Sequence, residues 1–146
     1  MELDNLAVIS FDGIHLLLPQ QSVATIEMVS NIEKSSEIPD AVGSLKSGGR
    51  SWPAYALNAQ FEKLRECPPI YKFCIALSRN NEDVFSIACE EVSTLSVNPK
   101  NELKPLQDSM KAPNNPVQYL LLKNNKFMIV SEIDAMCDFL IPRASV

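Results

Sequence analysis

Val42-Gly43-Ser44-Leu45-Lys46-Ser47-Gly48-Gly49-Arg50-Ser51-Trp52-Pro53-Ala54-Tyr55-Ala56-Leu57 holds three of the four glycines in the chain. Glycines gathered in one place mark backbone that needs a positive φ or a close approach by another segment. The apolar run that follows, with Pro53 early in it, reads as a strand entering a core. No catalytic group lies in the stretch. It reads as a shaped turn on a binding module rather than as a reaction centre.

On the N-terminal side, Leu6 to Phe11 and Ile14 to Leu18 are apolar runs on either side of Asp12-Gly13. Their turn chemistry predicts a hairpin. Val23, Thr25, Ile26, Met28 and Val29 make Gln21 to Val29 a strand, with room for a turn of helix at its start. Ser30 to Asp40 is polar, ends in Ile38-Pro39-Asp40 and reads as a loop. On the C-terminal side, Leu57, Phe61 and Leu64 fall at i, i+4 and i+7. That spacing predicts a short helix over Leu57–Leu64. Cys67-Pro68-Pro69 then breaks the chain and divides a single 146-residue domain into halves of roughly 1–66 and 67–146.

The second half repeats the style of the first. Ile70 to Leu77 and Val84 to Cys89 flank the polar turn Arg79-Asn80-Asn81-Glu82-Asp83, and Val92 to Val97 alternates. Pro99 to Pro116 carries four of the ten prolines and reads as a long loop. Val117 to Leu122 and Phe127 to Val130 flank Lys123-Asn124-Asn125-Lys126, the clearest hairpin signal in the chain. Ser131, with Asp134 three residues on, predicts a capped helix buried through Ile133, Met136, Cys137 and Leu140. Short strands with turns about every ten residues indicate small barrels or a sandwich.

Composition sets the class. The chain is 46% hydrophobic and 21% charged, ordinary for a globular protein able to bury a core. Its net charge of −5 disfavours nucleic acid and anionic membrane surfaces as partners. Met1 to Asn5 shows no basic start to a signal peptide, and no apolar run approaches a membrane span. A cytoplasmic protein is expected. Cys67, Cys74, Cys89 and Cys137 are separated by 7, 15 and 48 residues, with no close pair for metal. Most of them sit in apolar segments and read as small buried hydrophobes.

The order of elements resembles that of the CheW-like family, the bacterial chemotaxis coupling proteins, over nearly the whole chain. Leu16 to Val29, LLLPQQSVATIEMV, is similar to the family's opening hairpin and strand. Gly43 to Leu57 resembles its signature, in outline G-x-x-N-L-R-G-x-x-x-P-x-x-D-L, aligned on Gly43, Gly49, Pro53 and Leu57. Ile87 to Val92 resembles a later G-l-l-V-D-x-V motif, and Lys126 to Val130 with the Ile133 to Leu140 helix resembles the close. The signature's polar positions differ: Lys46 stands for its asparagine, Gly48 for its arginine and Ala56 for its aspartate.

The resemblance implies an all-β fold with short helices, built from two five-stranded barrels packed together. It implies no enzymatic activity and no cofactor. The implied role is an adaptor that joins the regulatory domain of a CheA-like histidine kinase to the cytoplasmic tip of a chemoreceptor. The partner-facing residues it implies here are Val42, Gly43, Lys46, Gly48, Arg50 and Tyr55. The altered signature leaves open a divergent scaffold of a pilus-motility or other kinase pathway without receptor coupling. A small ligand-binding barrel is a third reading, marked by a deep polar pocket around His15, Glu90 or Arg50.

The residues themselves carry little chemistry. The lone His15 sits between Ile14 and Leu16 and reads as a strand residue on a partly wet face, not a general base. Glu90 and Glu91 are adjacent on a strand and point apart. Asp134 and Asp138 share a helix face but read as solvated. Ser47-Gly48-Gly49-Arg50 lacks the Lys-Ser/Thr ending of a phosphate loop. Trp52 reads as a core anchor.

Overall fold

The computed structural model describes residues 5–34, 37–96, 104–105, 116–117, 119–123 and 126–141. Most of the Pro99–Pro116 segment lies outside them, so the expected long loop falls beyond the described residues. β1 (Asn5–Phe11) and β2 (Ile14–Pro19) form the expected hairpin. A turn of 3-10 helix over Gln20–Ser22 leads into β3 (Val23–Met28), in keeping with its sequence. β4 (Ile32–Glu33) is a two-residue strand inside the expected loop. β5 (Gly43–Ser47) and β6 (Arg50–Tyr55) flank the glycine turn. β7 (Phe73–Arg79), β8 (Glu82–Cys89) and β9 (Glu91–Ser96) follow. β10 (Lys104–Pro105), β11 (Tyr119–Lys123), β12 (Lys126–Val130) and α1 (Ile133–Leu140) complete the order.

The strands form two curled mixed sheets, ordered β10-β11-β12-β2-β1-β9 and β3-β7-β8-β6-β5-β4. Each has five longer strands and one two-residue end strand, β10 or β4. The two sheets share one plan. In each, two antiparallel hairpins meet through a single parallel pair formed by their second strands. β12 pairs β2 in parallel through Ile129↔Leu16 and Val130↔Leu17, and β6 pairs β8 through Ala54↔Ser86 and Tyr55↔Ile87. A further strand then flanks the first strand of each hairpin.

This plan corrects the division at Cys67. The second sheet runs from β3 to β8 and straddles that point, while the first joins the N-terminal hairpin to the C-terminal strands. The like units are the sheets, not the sequence halves. The Pro68-Pro69 break lies between two hairpins of one sheet, and a proline break says nothing about which strands pair across it.

Two core clusters follow from the pleat. Leu6, Val8, Leu17, Leu121, Met128 and Val130 fill the inside of the first sheet. Ala7, Ile9, Phe11, Leu16 and Leu18, on its other face, belong to the larger cluster with Trp52, Ile75, Phe85 and Ile87 of the second sheet. α1 joins that larger cluster through Ile133, Met136, Cys137 and Leu140, the stripe expected from its sequence. Cys74, Cys89 and Cys137 are buried, and burial pushes the Cys74 thiol up to about 12. They pack as apolar groups.

Two local expectations fail for identifiable reasons. Leu57–Leu64 is not a helix. The Asn58 side-chain oxygen accepts the N–H groups of Gln60 and Glu62 at 3.0 and 2.9 Å, and Phe61 adopts a left-handed φ of 59°. Asparagine thus offers the backbone a turn that competes with helix. The segment still buries its apolar residues: Phe61 meets the rings of Phe11 and Phe139 edge-on, each at 6.0 Å. Ser131 does not cap α1. Its hydroxyl donates to the Pro116 carbonyl and its N–H donates to Leu17 O at 3.1 Å. Glu132 takes the cap position without a side-chain bond, and Asp134 pairs instead with Arg79 at the end of β7.

Gly43 shows why the glycines cluster. A Cβ there would lie 2.2 Å from the Glu33 carbonyl oxygen, because β4 presses its backbone onto β5. Gly48 has open space around it and a φ of 56°, set by the two-residue turn. Gly43→Ala is therefore expected to destabilise the protein by about 3 kcal/mol, the upper end of overpacking costs. Gly48→Ala is expected to cost only the backbone penalty of about 1 kcal/mol. Urea denaturation of both variants measures the difference; equal losses would remove the close-approach explanation.

Candidate functional site

The β5–β6 hairpin divides the six residues singled out in the sequence into two groups. Lys46, Gly48 and Arg50 are exposed at its turn end. Val42, Gly43 and Tyr55 are buried, which corrects their placement on a partner-facing surface. The reason is position in the sheet. β6 lies between β5 and β8, Tyr55 packs into the larger core cluster, and its phenol is raised to about 12 by burial, with a further contribution from Asp40. The Val42 N–H is held by Ala54 O at 2.8 Å.

Arg50 is exposed but already engaged. Its guanidinium makes a two-pronged ion pair with Asp83 of β8 and donates to Ser78 Oγ at 3.3 Å. It also lies 4.7 Å above the ring of Trp52, which is 1% exposed. Arg50 and Trp52 are two residues apart and share a face of β6, so the cation closes the indole off from water. Lys46 is freer, with one hydrogen bond from Nζ to Ser51 Oγ at 3.1 Å.

Behind the turn, Glu27 of β3 gathers three donors. Thr25 Oγ1 donates at 2.6 Å, Asn31 Nδ2 at 3.1 Å and Ser47 Oγ at 3.2 Å. The Thr25 bond is the main cause that holds the carboxyl below its usual range; burial opposes it, and Ser47 and Asn31 assist. The Ser47 bond ties β3 to the hairpin's turn end.

β3 is also the end strand of its sheet, and its alternation is inverted. The polar Thr25 and Glu27 are half-buried, while Ile26 and Met28 are 47% and 50% exposed. Sequence reading missed these two as site residues, although the signal was present. The row Ala24, Ile26, Met28 is wholly apolar beside a row that carries Thr25 and Glu27. A second exposed apolar pair lies on the other sheet: Leu122 and Phe127 face each other across β11 and β12, 60% and 72% exposed. Apolar side chains that share a strand face and reach water are where a contact surface is to be sought.

His15 and Glu90 both lie at the turn end of the β1–β2 hairpin, each engaged with a residue of that hairpin. His15 Nδ1 shares a 2.8 Å hydrogen bond with Ser10 Oγ, its cross-strand partner, on a half-buried face. Glu90 accepts the Asp12 N–H at 2.7 Å and pins the first hairpin's turn. Among the described residues, no group of three or more His, Cys, Asp or Glu could hold a metal ion. Among them also, no helix is long and apolar enough to cross a membrane.

The protein has a CheW-like fold. The crystal structure of the scaffolding protein TtCheW from Thermoanaerobacter tengcongensis superposes with a TM-score of 0.72, over 90% of this chain and 90% of that one, at 15% sequence identity. No protein-family profile and no curated protein sequence matches the chain.

The Arg50–Asp83 pair makes a testable contribution. Asp83 is held below the ordinary aspartate value of about 3.9, chiefly by its bond from Arg50 and secondarily by Ser78, with burial opposing. A lowered folded-state value means that the pair stabilises fully above the unfolded aspartate's titration and is lost as pH falls through the folded value. Asp83→Asn is expected to cost about 1 kcal/mol or less at pH 7, since the pair is partly exposed and screened. The cost is expected to shrink below about pH 4. Thermal melts of both proteins from pH 7 to pH 3 measure it; a constant difference across that range would contradict the assignment.

Proposed function

We propose that the protein is a non-enzymatic, cytoplasmic adaptor of chemotaxis-type signalling that works through protein–protein contacts. The observation that carries this reading is the pair of separate exposed apolar strips on a CheW-like fold. Ile26 and Met28 lie on one sheet, Leu122 and Phe127 on the other. An adaptor needs two surfaces that can be occupied at once. Two strips on two sheets supply that, and each has the apolar character from which interface anchors are drawn.

The kinase partner of this reading is the regulatory domain of a CheA-like histidine kinase. The β3 strip would meet it, with Lys46 and Gly48 at the border of the contact. The second partner is the cytoplasmic tip of a chemoreceptor. The altered signature favours the alternative that this second contact has changed: Gly48 offers no guanidinium, and Arg50 is spent on Asp83, Ser78 and Trp52. Arginine's planar, two-pronged contact is not replaced by a lysine nearby. A divergent scaffold of a pilus-motility or other kinase pathway would keep the kinase contact alone.

Calorimetric titration against the regulatory domain of each histidine kinase from the same genome tests the reading. Micromolar binding to one of them is expected. Ile26→Asp is expected to weaken it about tenfold or more, as loss of an interface anchor does, with an unchanged melting temperature because the residue is half exposed. Absence of heat with every kinase would remove the coupling function. Tight binding unaffected by Ile26→Asp would move the interface elsewhere.

A further inference from the structure

An open groove of about 1060 Å³ runs between the Ile38–Val42 loop and the Lys63–Cys67 segment. It is lined by none of the four residues of the apolar strips, and its use does not depend on the adaptor reading. Val29, Ile32, Ile38 and Leu64 give it an aliphatic stretch within a lining that is otherwise largely polar and charged. Both walls hang on one stretch of backbone. Val42 N–H donates to Ala54 O and Leu64 N–H donates to Ala56 O, each at 2.8 Å. The groove is thus formed before anything enters it, and binding there loses little to ordering.

Its rim reverses the sign of the molecule. Lys34, Lys63 and Arg65 stand against Asp40 and Glu66, a local excess of one positive charge on a chain of net charge −5. Lys63 is engaged, 3.8 Å from Asp40 and 5.7 Å above the Phe139 ring. Lys34 and Arg65 make no ion pair among the described residues. Two unspent cations over a partly aliphatic floor complement a ligand that is acidic at its ends and aliphatic in its middle. A nucleic acid or a phosphate would leave that floor unfilled.

We infer that the groove docks an extended acidic peptide segment of a partner protein, with an aliphatic side chain on the floor and carboxylates at Lys34 and Arg65. The test is selection of a random twelve-residue peptide display library on the intact protein and on its Lys34→Glu/Arg65→Glu variant. Peptides with Asp or Glu flanking Leu, Ile or Val are expected to be enriched on the unaltered protein alone. A fluorescein-labelled synthetic copy is expected to bind it at least about tenfold more tightly than the variant by anisotropy, and more weakly as salt rises. Equal melting temperatures would show that the variant folds. Failure to enrich, enrichment of basic peptides, or equal binding to the variant would each overturn the inference. So would a dimer of this chain, seen by sedimentation, that the double substitution dissolves, since the groove's occupant would then be a second copy.

Discussion

Leu16, Leu17 and Leu18 are all fully buried, yet they do not face one core. Leu17 points into the first sheet with Val8, Leu121 and Val130, whereas Leu16 and Leu18 point into the cluster shared with the second sheet. The β1–β2 hairpin is therefore a partition with apolar packing on both faces. Burying a strand twice requires an unbroken apolar run rather than alternation, and that is what Leu6–Ile9 and Leu16–Leu18 provide, with the polar pair Ser10 and His15 only near the turn. Each fully buried leucine contributes about 1.5–3 kcal/mol relative to exposure. Because one strand serves both cores, neither sheet can lose it without loss to the other.

The partition also explains where function can reside. With the hairpin filled on both sides, its polar groups serve its own turn: Ser10 Oγ holds His15, the Ser10 carbonyl accepts the Glu90 N–H, and the Glu90 carboxylate accepts the Asp12 N–H, while Arg50 is held by Asp83 on the second sheet. The groove described above lies at the periphery of the second sheet, against the loop that follows β4. Exposed apolar side chains gather instead on the end strand β3 and on the β11–β12 hairpin. On both they project from the sheet itself, whereas the groove is walled by the Ile38–Val42 loop and the Lys63–Cys67 segment. The Arg50, Asp83 and Trp52 group acts differently. It covers the Trp52 ring and engages the Arg50 guanidinium within the molecule.

Turns were legible in the sequence, and pairing partners were not. Asp12-Gly13, Gly48-Gly49 and Asn80-Asn81 each tolerate left-handed backbone, and each closes a two-residue hairpin. That chemistry is local and survives in any context. The parallel contacts β12–β2 and β6–β8 join residues far apart in sequence and involve two residue pairs each, so no local pattern announces them. Asn58 overrides the i, i+4, i+7 spacing because a side-chain-to-backbone bond beats propensity in a short segment. Val42 and Tyr55 flank a glycine turn that belongs on a surface, but the hairpin carries both onto well-covered backbone. Ile26 and Met28 escape a sequence reading because apolar residues in a strand ordinarily point inward, and only the polar row beside them argues otherwise.

Native-state hydrogen exchange across a series of low denaturant concentrations tests the double-sided hairpin most directly. If β1–β2 is shared by both cores, the slowest amides of Leu17, of Ile87 in β8 and of Leu121 in β11 should converge on one opening free energy, that of global unfolding. Two plateaus, with the β8 amides opening independently of those in β2 and β11, would show two separately stable units and contradict the account.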